Sequence, residues 1–187
     1  MFARITRGIV AASVLTIAVS SAAGAQAAAA KPFGVGVLVA LPIGDFGDAA
    51  GMGFGAGGSW QKRLNDKLNL RVNGDLSRHA WKSPLDGNSM IFTGLANVVM
   101  PVAASGTMKP YVFGGAGLAY VRATATVTIL STTTTVTSSD TKLAINVGGG
   151  MDRQMGTRTM FFEVRFVSVQ TDGSATNYIP IVVGLRM

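Results

Sequence analysis

The sequence predicts an all-β chain folded as an eight-stranded antiparallel up-and-down transmembrane β-barrel. Three observations predict it: a two-residue alternation that recurs eight times, connections that alternate between long and short, and an export leader. The alternation is clearest in residues 67–77, KLNLRVNGDLS. Leu68, Leu70, Val72, Gly74 and Leu76 fall on one face, and Asn69, Arg71, Asn73, Asp75 and Ser77 on the other. Successive side chains of a strand point to opposite sides, so this stretch is a strand with one apolar and one polar, charged face.

Composition bounds the class. The chain has 187 residues, enough for one domain after a leader. It is 48% hydrophobic, yet past the first thirty or so residues no apolar run reaches the roughly 20 needed for a spanning helix. Hydrophobicity spread over alternate positions is what a membrane barrel uses instead. The 24 glycines disfavour helices. With no cysteine there is no disulfide framework or thiolate metal site. The formal charge is +7, of which +5 remains once Arg4 and Arg7 leave with the leader. No Lys/Arg run exceeds two residues, which argues against the clustered basic patch that nucleic acid binding requires. Acidic lipid head groups are the more natural counterions.

Residues 1–27 read as a signal peptide, and residues 31–187 as the barrel domain. Arg4 and Arg7 precede the apolar run GIVAASVLTIAVSS, and small residues then offer Ala-x-Ala cleavage after Ala25 or Ala27. The other reading of this stretch is a membrane anchor. Its second half is Ala, Gly and Gln rather than Leu or Ile, which favours cleavage.

Eight strands follow in order. Residues 34–41 carry Val35, Val37, Val39 and Leu41 in phase, and residues 51–62 carry Met52, Phe54, Ala56 and Trp60. The third strand is 67–77. In residues 88–100, Met90, Phe92, Val98 and Met100 oppose Thr93 and Asn97. Residues 109–127 contain the fifth strand. In 142–153, Leu143, Ile145, Val147 and Met151 oppose Lys142, Asn146 and Asp152; in 157–170, Met160, Phe162, Val164 and Phe166 oppose Glu163 and Arg165. Residues 178–187 close the chain, with Ile179, Ile181, Val183, Leu185 and Met187 in phase.

Between them, residues 42–50, 79–87, 128–141 and 171–177 read as longer connections. Residues 63–66 and 154–156 read as tight turns, and 101–108 as an intermediate connector. Outer-membrane barrels have short periplasmic turns and longer external loops, so the four longer connections belong outside. The alternative architecture is a soluble periplasmic ligand-binding barrel of lipocalin type, with its apolar face inward.

Residues 109–122, KPYVFGGAGLAYVR, resemble the central strand of the small outer-membrane β-barrel family that includes outer membrane protein A, protein W and the opacity-type proteins. Pro110-Tyr111 followed by Gly114-Gly115-Ala116-Gly117 carries the resemblance, together with NVGGGMD at 146–152 and the ending Gly184-Leu185-Arg186-Met187. The resemblance implies an integral outer-membrane barrel delivered by the barrel-assembly machinery. Met187 stands where the family's last strand typically ends in an aromatic residue. It implies no particular activity, because function resides in sites rather than folds.

The residues able to carry chemistry are few. The glycines at 51, 53, 55 and 57 lack the strand before and helix after that a phosphate-binding loop needs; their period of two places small side chains on one strand face. Arg71, Asp75, Lys142, Asp152, Glu163, Arg165 and Arg186 all lie opposite the apolar face, which in a membrane barrel is the lumen. An eight-stranded lumen is narrow enough for side chains to fill, and a buried charge needs an opposite partner. The expectation is a structural ion-pair network, with a gate or narrow ion path as the sharper alternative. Ser77, His79 and Asp86 are the parts of an acyl-transfer triad, but a lone histidine beside Trp81 at a rim reads more simply as an interface residue. No catalytic residue, cofactor or metal site is assigned.

Phe54, Trp60, Phe92, Tyr111, Phe113, Phe162, Phe166 and Tyr178 are candidates for the outer surface, with Trp60, Tyr111 and Tyr178 near head groups. Tyr111 and Phe113 have a second reading, as covers over neighbouring glycines. Arg78, Lys82 and Arg122, near the external rim, are expected to contact lipopolysaccharide phosphates. The stretch from Thr124 to Asp140 is rich in Thr, Val and Ile, which favours β structure above the membrane and an edge for a surface partner, or else a solvated loop. The function expected is non-enzymatic, structural or surface-interacting. Transport of small solutes or hydrophobic compounds, lipid modification and soluble ligand binding are the alternatives.

Overall fold

The computed structural model describes residues 32–84, 86–102, 107–129, 132–170 and 175–187. The leader at 1–27 lies outside them. Eight strands form one closed barrel in which each pairs with its sequence neighbours and β8 returns to β1. They are β1 (Phe33–Ile43), β2 (Ala50–Arg63), β3 (Asn69–Trp81), β4 (Asp86–Pro101), β5 (Met108–Ile129), β6 (Thr132–Met155), β7 (Arg158–Gln170) and β8 (Ala175–Arg186). One short helix, α1 (Asp45–Ala49), joins β1 to β2. Every pairing is antiparallel. Closure leaves no sheet edge along the barrel body.

The alternation sets the two faces. Val35, Val37, Phe54, Leu118, Leu143 and Val147 point outward, and Val37 at 66% and Leu118 at 58% are largely exposed. Large side chains left bare in this number have no protein partner, and a hydrocarbon surround is the solvent that suits them. The opposite parity turns Arg71, Asn73, Ser77, Thr93, Asn97, Glu163 and Arg165 into the lumen, all buried. The soluble arrangement, apolar inside and polar outside, is thereby reversed.

The strands run further than the alternation marks. Residues 128–141, read as the longest connection, are largely strand, because β5 and β6 continue as a paired two-stranded ribbon. Its Thr124–Thr137 and Thr126–Thr135 pairs bring hydroxyl oxygens to 3.4 Å, the cross-strand threonine contact that supports a sheet. Likewise 79–87 is mostly strand, since β3 reaches Trp81 and β4 starts at Asp86. The contrast between the two ends therefore lies in strand overhang rather than loop length. The β6–β7 turn is tight, with Gly156 at φ 57°, a conformation glycine adopts without strain.

Three aromatic assignments are corrected. Tyr111, Phe113 and Tyr178 are 6%, 4% and 4% exposed and face the lumen. Both faces of their strands are apolar, so alternation alone could not say which face was inside. Tyr111 and Phe113 instead lie over Gly150 and Gly148 of β6, in keeping with the second reading of these two residues.

Candidate functional site

The lumen has two storeys. At the end where β5 and β6 overhang, it is mainly apolar: Leu38, Ile91, Leu95, Val167, Val169, Tyr178 and Val182 form one buried cluster, with Phe46 of α1 packed against it, and the buried Ser77, His79 and Ser89 share this end. Toward the chain termini it is charged. Sequence reasoning missed the apolar storey because Ile91 and Leu95 share their face of β4 with Ser89, Thr93 and Asn97, so the polar residues set the reading of that face.

The charged storey centres on Glu163 of β7. Its Oε1 accepts from Arg71 Nη1 at 2.5 Å, Tyr111 Oη at 2.7 Å and Arg186 Nη2 at 3.2 Å. Arg165, two residues along the same strand face, donates through both terminal nitrogens to Asp75 at 2.8 and 3.2 Å. Arg186 Nε meets Asp152 at 3.2 Å, and its Nη1 meets Gln61 at 3.2 Å. Three guanidiniums thus face three carboxylates, and the layer is electrically neutral. Asn97 donates to Asn73, which donates to Asp75, extending the layer toward β4.

Aromatic rings complete the layer. The Arg71 guanidinium lies 4.3 Å from the Phe113 ring centroid, and that of Arg186 lies 4.6 Å from Phe161, distances at which the ring faces attract a cation. The void beside Arg71, Asp75, Glu163 and Arg165 measures about 20 Å³, room for about one water molecule. Below it, a recess of about 190 Å³ between Gln61, Asn69, Lys109, Tyr111, Asp152 and Arg186 opens at the terminal mouth.

Six of the seven lumen charges named from sequence meet in this layer. Lys142 does not: it pairs with Asp140 at 2.9 Å near the other mouth. Tyr111, Phe113 and Phe161 also belong to it; the sequence names the first two as outer-surface candidates or covers over glycines, and does not single out Phe161.

His79 is not an interface residue at the rim. It is fully buried in the lumen, beneath Phe46 of α1 at a ring separation of 5.1 Å. Its Nε2 is 3.2 Å from Ser77 Oγ, and its Nδ1 is 3.2 Å from the Gly51 carbonyl. The second ring nitrogen therefore meets a backbone oxygen rather than the carboxylate of Asp86, which is exposed. A serine and a histidine are in contact, but a triad's orienting acid is not. Among the described residues no group of three or more His, Asp or Glu could hold a metal ion.

Of the three rim cations, Arg78 and Arg122 are exposed on the outer wall. Lys82 is also exposed, and its Nζ donates to the Gly47 carbonyl beside α1.

No protein-family model matches the chain, and no curated protein matches it by sequence. Solved structures do. Neisserial surface protein A superposes with a TM-score of 0.60 at 18% identity, over 83% of this chain and 94% of that one. Ail, the attachment invasion locus protein of Yersinia pestis, gives 0.54 at 13% identity, over 83% and 97%. The identities are low, and what is shared is the architecture. This chain has the fold of the small eight-stranded outer-membrane β-barrels.

Proposed function

We propose that the protein is an integral outer-membrane barrel, sealed along its axis, non-enzymatic, and acting at the cell surface through the β5–β6 ribbon. The observation that carries this reading is the ribbon itself. Between residues 134 and 141, β6 pairs with β5 alone among the described residues, whereas from Ala144 onward it also pairs with β7. That stretch, TTVTSSDT, contains neither Lys nor Pro, and Asp140 is its one charge among the devices with which exposed edges are blunted. An extended segment of a partner adds to such an edge through main-chain hydrogen bonds.

The neutral charged layer supports the sealed part of the reading, since the void beside its struts admits about one water molecule. One protein of the same fold is named for attachment and invasion, which accords with a surface role for the scaffold. In the proposed orientation the termini face the periplasm and the ribbon faces outward. The test is to replace residues 124–138 by a two-residue turn and compare cells displaying each form. The expected result is an intact, heat-modifiable barrel in the outer-membrane fraction with loss of surface adhesion. Undiminished adhesion would remove the ribbon's role.

A further inference from the structure

On the outer wall, strand register sets Arg78 of β3 opposite Met90 of β4, and Met90 opposite Arg122 of β5. All three are exposed. Neither arginine has a hydrogen bond or ion pair among the described residues, whereas Arg71, Arg165 and Arg186 in the lumen are all paired. Two strand spacings separate the Arg78 and Arg122 backbones by about 10 Å. Their long side chains can converge over Met90, and a guanidinium fork matches phosphate oxygens.

Next along the wall, toward the termini, comes the row Leu76, Phe92 and Tyr120, followed by Gly74, Gly94 and Leu118, then Val72, Ala96 and Ala116. The side chains shrink where the wall crosses its middle. The result is a groove of about 490 Å³ lined by Val72, Phe92, Gly94, Ala96, Ala116 and Leu118, a size in the range of about 300–1,000 Å³ typical of ligand sites. A Cβ built at Gly94 meets nothing within 4 Å, so the barrel's own packing does not require the groove to be open there. Two unpaired cations therefore head an apolar channel on the same three strands. That is the complement of an anionic head group on an acyl chain.

We propose that the β3–β4–β5 outer wall is a binding site for lipopolysaccharide, with Arg78 and Arg122 holding a phosphate of its acylated sugar backbone and an acyl chain lying in the groove below. The choice of glycolipid over phospholipid rests on the orientation proposed above, which puts the arginine row in the outer leaflet. Lys82, bonded to the Gly47 carbonyl, stays out of the site.

The test uses the mature protein folded in uncharged micelles and titrated with purified lipopolysaccharide, the same lipid after phosphate removal, and phosphatidylglycerol. Bound lipid is read by native mass spectrometry. R78Q/R122Q is expected to weaken lipopolysaccharide binding by about tenfold or more, and phosphate removal to do the same to the wild type. A116F, which fills the groove, is expected to weaken binding with both arginines in place. Unchanged heat-modifiable mobility shows that each variant is folded, and the single variants R78Q and R122Q carry the comparison if the double one is not. Wild-type affinity in R78Q/R122Q, or phosphatidylglycerol binding as tightly as lipopolysaccharide, would overturn the proposal. Micelles have no sidedness, so this result is independent of orientation, which labelling of the ribbon on intact cells tests separately.

Discussion

Arg71 and Glu163 meet across the full width of the barrel, Nη1 to Oε1 at 2.5 Å, from β3 and β7. These strands are four apart in a ring of eight and so stand diametrically opposite. Asp75 and Arg165 repeat the same crossing one step further along, with the signs exchanged. The barrel is thus braced by two antiparallel struts whose charges cancel, and Arg186 and Asp152 add a third pair from β8 and β6.

Removing the shared acceptor should cost more than removing any one donor. Glu163→Gln leaves Arg71 and Arg186 buried without the carboxylate they share. A destabilisation of about 3–5 kcal/mol is expected from an uncompensated buried charge, read as a lowered urea midpoint for the barrel folded in lipid. Replacing both members, R71M/E163L, should cost less than Glu163→Gln, since no charge is left without its mate. The reverse order would mean that the struts are not what holds this layer.

Conductance gives a second check. With only about one water's room beside the struts, the wild-type protein should show no stable open level in planar bilayers. Removing both struts with R71A/D75A/E163A/R165A should introduce one if the variant folds. Steady conduction by the wild type would contradict a sealed lumen.

At the other storey, Gly53 leaves space for His79. A Cβ on residue 53 would stand 2.4 Å from His79 Cε1 and 2.6 Å from both ring nitrogens. Gly53→Ala should therefore destabilise by about 1–3 kcal/mol through overpacking. In the His79→Ala background the same change should cost much less, a coupling that a double-mutant cycle measures. Equal costs in the two backgrounds would separate the two residues.

The ribbon should be dispensable for the fold. Most of its residues lie beyond the level at which β6 meets β7, and only Thr124, Ala125 and Thr126 still pair with β4, so replacing 124–138 by a two-residue turn should leave the unfolding midpoint within about 0.5 kcal/mol of wild type, as for surface changes in general. Loss of heat-modifiable mobility would show that the ribbon is part of the barrel's own stability. Trp81, whose indole donates to the Thr124 carbonyl at 2.8 Å, is the one described side chain bonded across to the ribbon's base and the first place to look for such coupling.

How much was legible depended on whether a strand's two faces differ. In β3 the series Leu70, Val72, Leu76 against Arg71, Asn73, Asp75 states its own direction, and the charged residues lie in the lumen as their parity required. In β5 the run Tyr111-Val112-Phe113 is apolar on both faces, and in β8 so is Tyr178 through Val183. There alternation gives two phases but no sign, so Tyr111, Phe113 and Tyr178 read as candidates for the outer surface although they face the lumen. The ribbon was half legible: its threonines favour strand, yet a polar run without alternation reads equally as a loop until a partner strand is found for it.

By itself the sequence determined the class of this protein, its strand number, and which charges share a face, because the side-chain period of a strand is local and survives in a linear reading. Tertiary structure alone decided which charge meets which. Arg71 and Glu163 are 92 positions apart, and they meet only because the ring closes β8 onto β1 and sets β3 opposite β7. The same closure buries His79 under Phe46, leaves β6 half-paired above Ala144, and aligns Arg78 with Arg122 on one row. Each of these depends on register between strands, which no single strand encodes.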